Sequence, residues 1–329
     1  MIVIGLDVSK NRLDAAVKRP GTDKWYDRKV AHSQADVHAL IERLCDKLDA
    51  TPDQLRVVME ATGPYHEKTA HWLYELGCTP CVANPKRVRD FAKAMGLLNK
   101  TDRADARALC LFGGQAKLSA WTPPPPEVAT LRALINRLSV LENELGRETN
   151  RREKAQAGRM AAPVLESIDR CIASLNDEIR RIKDQIDDHF DQHPDLKRDK
   201  ALLASIPGIG QTSARHLLCL LADRDFTSAR QAAAFAGLAV VHFESGSSVR
   251  GRPHLSKQGS SKLRAVLYMA AVAALRHNRA LKTFYDRLRQ RGKPALSALG
   301  AVMRKLVHIA FGVFKHKTPY DPALAAQNA

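Results

Sequence analysis

Asp102 and Asp105 stand three residues apart in the stretch NKTDRADARAL, which runs from Asn99 to Leu109. On a helix that spacing puts both carboxylates on one face. Two such acids can offer oxygen ligands to a hard cation, or they can pair as surface acids with the neighbouring Arg103 and Arg107. Alone, they favour the second reading, because exposed ion pairs are common. Two further acids shift the balance. Asp7 closes the apolar run IVIGLDV, and Glu60 closes another within VVMEATGPY. An acid at the end of a buried strand needs a compensating reason. On adjacent central strands, both side chains would reach the same rim of a sheet. Four carboxylates converging from three elements repel strongly unless a cation sits between them. Their chemistry suits magnesium or manganese, and two such ions can activate a nucleophile and stabilise the leaving oxygen in phosphoryl transfer. Asp14 is a rival acid, read as a residue of the second strand and not as a ligand.

The stretch ESGSSVRGR, 244–252, is small, flexible and basic. A serine hydroxyl needs a base or a metal to act as a nucleophile near pH 7. His242 and His254 flank the stretch, but no G-x-S-x-G elbow exists for a hydrolase triad. Composition leaves Ser245, Ser247 and Ser248 equally placed. It also leaves open a phosphate-binding loop built on Arg250 and Arg252. Other candidates are weaker. CTPC, 78–81, closes a helix and enters a strand, whereas a redox motif should open a helix, so buried thiols are expected. His66 and His71 are five apart, one too many for a shared helix face. His189 and His193 lie at a helix end before Pro194.

The elements that must position the acids can be read from periodicity. Residues 2–8 form a buried strand; 13–19 and 25–32 alternate and suggest antiparallel neighbours about a PGTD turn at 20–23. Residues 33–48 carry an amphipathic helix capped by Ser33. A strand at 55–62, a helix at 66–76, a strand at 79–83 and a helix at 85–95 follow. The order β-β-β-α-β-α-β-α resembles a ribonuclease-H-like fold, a mixed sheet with helices on both faces. WTPPPPE, 121–127, is a clear boundary, since four prolines cannot continue a helix. Two helices then flank a break at Gly158 and Pro163. The second carries Leu165, Ile168, Ile172, Leu175, Ile179, Ile182 and Ile186 in strict alternating threes and fours, a coiled-coil seam. The pair can close as an antiparallel hairpin, join a second chain, or both. From about 195 a third region is helical, and IPGIG within it resembles a helix-hairpin-helix turn. Gly208 and Gly210 there would let backbone amides approach a phosphate. The expected organisation is a catalytic domain over 1–120, a proline linker with coiled-coil helices over 121–194, and a C-terminal domain over 195–329.

The chain has 329 residues, 52 Lys and Arg against 35 Asp and Glu, and 45% hydrophobic residues, so it can bury a core and should meet polyanions. Sixteen Lys and Arg but one acid, Asp286, lie between Gly246 and Tyr320. Such density supplies salt-dependent affinity for phosphate backbones. Aromatics are 5%, so backbone contact should outweigh base stacking. No apolar run reads as membrane-spanning and no signal peptide is evident, so no membrane partner and a cytoplasmic location are expected.

GLDVSK, VVMEATGPY and NKTDRADARAL, followed by IPGIG, AAFAGL and ESGSSVRGRPHLSKQGSSKLR, resemble in order the DEDD-type transposases of bacterial insertion sequences. The nearest resemblance is to insertion-sequence family one-ten, the bridge-RNA-guided recombinases. One departure is Val240, where the family often has proline after AGL. The resemblance implies a RuvC-like domain whose acids are Asp7, Glu60, Asp102 and Asp105, holding Mg2+ or Mn2+. It implies a coiled-coil connector and a C-terminal transposase domain whose nucleophilic serine falls on Ser245. It further implies a guide RNA, donor and target double-stranded DNA, a covalent phosphoserine link, and dimers that assemble into tetramers. With the charge pattern, it makes Lys100, Arg103, Arg107, Arg250, Arg252, Lys257, Lys262 and Arg264 candidates for nucleic-acid contact. The rival readings are a metal-dependent junction nuclease, which needs the acids but not Ser245, and a non-catalytic RNA- or DNA-binding scaffold.

Overall fold

The structure is a computed structural model. It describes all residues except 20, 62, 98, 100, 246–248, 252 and 324–329, and only the backbone of 244, 245, 249 and 250. Two compact units divide the chain, Met1–Pro123 and Pro124–Ala329. The coiled-coil helices thus belong to the same unit as the C-terminal helices, because their cores are continuous.

The first unit is built on strands β1 (Ile2–Val8), β2 (Arg12–Lys18), β3 (Trp25–Ala31), β4 (Leu55–Glu60) and β5 (Thr79–Ala83). They form one sheet in the order β3-β2-β1-β4-β5. The first three strands pair antiparallel; β1, β4 and β5 pair parallel. This mixed arrangement is compatible with a ribonuclease-H-like domain. Helix α1 (Gln34–Leu48) starts where the Ser33 hydroxyl accepts the Asp36 amide, as its cap position predicts. Its apolar stripe of Val37, Leu40, Ile41 and Leu44 packs on one sheet face with α2 (Pro64–Glu75). Helices α3 (Pro85–Ala94) and α4 (Asp102–Gln115) cover the other face, with Val58, Cys81 and Leu109 buried between. Cys78 and Cys81 are buried free thiols, and burial pushes the Cys78 thiol up to about 12.

The second unit opens with α5 (Pro126–Ala157) and α6 (Ala162–Gln192), which pack as a helical hairpin. Along the α6 seam Ile179, Ile182 and Ile186 are buried, while Leu165, Ile168 and Ile172 toward the hairpin tip are half-buried. His189 faces inward, and its Nε2 hydrogen-bonds the Glu127 carbonyl at 2.8 Å, tying the end of α6 to the start of α5. Then come α7 (Pro194–Ala204), α8 (Gln211–Ala222) and α9 (Ala229–Phe235). Two-residue strands β6 (Val240–Val241), β7 (Glu244–Ser245), β8 (Val249–Arg250) and β9 (His254–Leu255) follow, then α10 (Ser261–His277), α11 (Arg279–Gln290) and α12 (Ala295–His316). Contrary to the sequence expectation, α12 is long and apolar enough to cross a membrane by length and composition. It packs into this unit's core through Leu299, Val302, Met303, Leu306, Val307 and Ala310.

Candidate active site

Close packing at two glycines shows which face of the sheet meets α4. Gly5 touches α4 so closely that a Cβ would sit 1.9 Å from the Ala106 carbonyl oxygen and 2.4 Å from the Cys110 nitrogen. A Cβ on Gly113 would meet the side chains of Val3 and Val58 at 2.8 and 2.5 Å. Val3 and Gly5 therefore face α4, and alternation carries Asp7 onto the same face. Val58 faces α4 from β4, which brings Glu60 with it. The parallel register runs to Leu6 opposite Met59, so Asp7 and Glu60 stand one step beyond it on neighbouring strands. On the other side of β1, Asp14 is directly opposite Asp7 in the antiparallel ladder. Paired residues of such a ladder share a face.

Helix α4 begins above these acids. Thr101 caps it, its hydroxyl accepting the Ala104 amide at 3.2 Å. Asp102 and Asp105 occupy its first turn, and Ala106, Leu109, Cys110 and Gly113 continue the buried stripe down the sheet. The spacing that put both acids on one face is thus the spacing of the packed stripe. Burial, then Asp105, Asp102 and Asp14, push the Asp7 carboxyl up to about 6. Mutual repulsion of that kind follows from like charges crowded together. The donor set is hard oxygen throughout, which fits a divalent cation such as magnesium or manganese. As the side chains stand, no group of three or more metal-type ligands is gathered among the described residues.

Cations surround the cluster. Arg12 donates through Nη2 to Asp102 Oδ2, and its Nε lies 3.6 Å from Asp14 Oδ2. Lys29 Nζ lies 3.6 Å from the other Asp14 oxygen. Asp14 is only 8% exposed, so these partners offset an otherwise costly buried charge. Arg103 and Arg107, by contrast, turn to Asp27 on β3. Arg107 donates to both Asp27 oxygens, at 2.9 and 2.6 Å, and Arg103 reaches one at 2.6 Å. The Arg107 guanidinium also lies 4.9 Å from the Trp25 ring centroid. Open clefts of about 580 and 570 Å³ flank Arg103, one bordered by Asp14 and Lys29, the other by Asn99 and Thr101.

Asp14 and Arg12 are the site's overlooked members. In the sequence Asp14 reads as a residue of the second strand, and nothing local marks Arg12. A two-strand ladder joined by a short turn at 9–11 could have flagged them, since it places Asp14 beside Asp7.

Ser245 lies in the second unit. Its strand β7 pairs antiparallel with β8, Ser245 opposite Val249, while β6 pairs with β9. The Gly251 amide donates to the Phe243 carbonyl at 2.7 Å between the two ladders. Ser245 thus belongs to the ladder that β6 and β9 enclose in sequence. The Ser245 and Arg250 side chains, Lys100 and Arg252 lie outside the described residues.

The segments that flank the β6–β9 ladder meet at glycines. A Cβ on Gly259 would sit 2.2 Å from the Phe235 carbonyl oxygen, and Gly237 has φ +76° beside Gly259. Arg264 donates to the Gly259 carbonyl at 2.6 Å, and Lys257 takes φ +55° in the same turn. The AAFAGL and SKQGSSKLR stretches therefore meet. Lys262 is half-buried, and burial lowers its pKa while Glu142 of α5 opposes that. Gly208 has φ +100°, and a Cβ there would meet the α10 backbone at Ala274 at 2.5 Å, so packing explains it. Gly210 caps α8 and is exposed.

Two family models match the chain. One, described as a transposase and of the DEDD type, covers residues 4–155; another, described as the transposase IS116/IS110/IS902 family, covers 200–286. The pilin gene-inverting protein of Moraxella bovis is 31% identical over 320 residues, 97% of each chain. Its counterpart from Moraxella lacunata matches to the same extent. An insertion element IS110 protein of 43.6 kDa from Streptomyces coelicolor is 29% identical over 164 residues, 50% of this chain and 39% of its own.

Proposed function

The chain belongs to the IS110 family of transposases and is a DNA transposase or recombinase, and we propose that it exchanges DNA strands under the guidance of a structured RNA. The observation that supports the catalytic part is the placement of Asp7, Glu60 and the first turn of α4 on one face at one end of the sheet. Asp7, Glu60, Asp102 and Asp105 would hold magnesium, or manganese in its place. The bound ion would supply charge neutralisation at the phosphate and ease departure of the leaving oxygen.

Ser245 is the proposed nucleophile. Its hydroxyl oxygen forms a bond to a DNA phosphorus as a deoxyribose oxygen leaves, and the serine proton ends on that oxygen. The product is a phosphoserine link that conserves the phosphodiester energy for rejoining. A different strand end then attacks the phosphoserine and frees the serine. The acids and Ser245 belong to different units, which suits a site completed between subunits of a dimer or tetramer. The α6 seam, half-buried toward its tip, suits such assembly. The guide RNA and both DNA duplexes would lie on the basic second unit. Gly210, Arg250, Arg252, Lys257 and Lys262 are proposed contacts there, with the α7–α8 turn read as a helix-hairpin-helix. Lys100 is the matching candidate at the acids. Arg103, Arg107 and Arg264 are engaged within the protein, so they contribute through the surfaces they build. The protein would act in the cytoplasm, on the nucleoid.

The test is strand cleavage by the full chain with co-purified RNA, in magnesium against a chelator. Ser245→Ala should bind nucleic acid as before and form no covalent adduct on denaturing gels. Adducts from that variant would remove the serine assignment. Absence of cleavage under every condition would favour the scaffold reading.

A further inference from the structure

Arg12 reaches both halves of the acid cluster. It opens β2, two residues before Asp14 and so on the same face of the strand. From there its guanidinium crosses to Asp102 on α4, a residue 90 positions away in sequence. The Nε edge stays near Asp14. Asp14 is nearly buried, whereas the Arg12 side chain remains 51% exposed. One partner of the arginine is therefore buried and the other, Asp102, is open to solvent. The oxygen that Arg12 takes, Asp102 Oδ2, is one of the two that Asp102 has to offer a cation.

We propose that Arg12 is the resident counter-cation of the carboxylate site, holding Asp102 when no divalent ion is bound and competing with that ion for it. This rests on the metal-site reading above. A guanidinium among crowded carboxylates relieves their repulsion and so stabilises the empty site. The same charge opposes a divalent cation, both by occupying a ligand oxygen and by like-charge repulsion. When the ion takes Asp102, Asp14 keeps Arg12 at the cleft. Its planar fork, beside Lys29, then faces outward with the geometry that matches a phosphodiester. Ion loading and backbone capture would thereby be coupled through one side chain.

A purely structural tie makes the opposite prediction. If Arg12 only braced α4, its loss would loosen Asp102 and weaken ion binding. Competition requires that its loss strengthen ion binding. The measurement is Mn2+ affinity of the full chain without nucleic acid, read by the electron paramagnetic resonance of free Mn2+ and by calorimetry. Arg12→Gln should bind Mn2+ roughly three- to fivefold more tightly, the scale of a partly exposed ion pair. It should also melt at a lower temperature in chelator. Arg12→Lys should return affinity toward the parent value. Equal or weaker binding by Arg12→Gln overturns the proposal, as does an Arg12→Lys protein as tight as Arg12→Gln. Asp7→Asn separates the two readings. If the parent binds Mn2+ and Asp7→Asn does not, a failure of Arg12→Gln is specific to Arg12. If the parent binds none, the metal site falls and this proposal falls with it.

Discussion

Two acids on the same sheet face, beneath the same helix, live in opposite electrostatic settings. Asp27 on β3 is gripped by Arg107 and Arg103, and the Arg107 guanidinium foremost holds it below the usual carboxylate range. Asp7 on β1 is pushed up to about 6 by burial and by Asp105, Asp102 and Asp14. The first arrangement clamps α4 to the sheet edge. The second stores repulsion at the helix N-terminus, where a cation would relieve it. Active sites commonly hold such locally unfavourable charge, at a cost in stability. The difference teaches that one helix can be anchored at one acid so that another acid can be left strained.

The largest expected effect separates the two in activity. Asp7→Asn, Asp102→Ala and Asp105→Ala should each lower strand cleavage by roughly a thousandfold, the scale of losing one member of a catalytic unit. Asp27→Asn should leave cleavage within about tenfold. Full activity in Asp102→Ala or Asp105→Ala would return those acids to a surface role. Next comes the shared support. Gly5→Ala should destabilise the first unit by about 3 kcal/mol or more, because the added carbon meets backbone and not a movable side chain. Denaturant melts followed at both acid ends would show whether they loosen together.

Smaller effects should differ in sign. In chelator, Asp7→Asn removes repulsion and should raise the melting temperature by about 2–4 °C. Arg107→Ala breaks the clamp and should cost about 1 kcal/mol, as its pair is partly exposed. The smallest effect is the pH dependence. Asp7 has a folded pKa above its ordinary value of 3.8, so between about 6 and that value the folded state keeps a proton that the unfolded state releases. Its contribution to metal-free stability therefore grows as pH falls from about 6 and disappears as pH rises through 6. Asp27 has a lowered pKa, so its contribution is present above the ordinary value and is lost as pH falls through the folded one. Comparing Asp7→Asn with Asp27→Asn across pH 3–7 in chelator isolates each slope. Identical slopes would erase the contrast.

Much of this was legible before the fold. Alternation placed the strands within a residue or two, and the Ser33 cap and the Gly158–Pro163 break marked helix ends where they occur. The adjacency of Asp7 and Glu60 followed from reading both strands as central, and the ladder bears it out. The site's cations were not legible. Arg103 and Arg107 were expected beside the aspartates of their own helix or facing a phosphate, yet both turn to Asp27, nearly eighty residues away in sequence. Asp14 looked like a strand residue and stands directly across from Asp7.

By itself, the sequence determined which residues share a face within one element, since strand and helix periods are local properties of the backbone. It therefore determined that Asp102 and Asp105 point together and that Asp7 ends a buried strand. Only the tertiary structure decided what those faces meet. The rotation of α4 is set by the close approach of Ala106 and Cys110 to Gly5, and the partner of Asp102 is an arginine that the β1–β2 ladder delivers from across the sheet. Register and helix rotation depend on packing between segments far apart in the chain, and no local period encodes them.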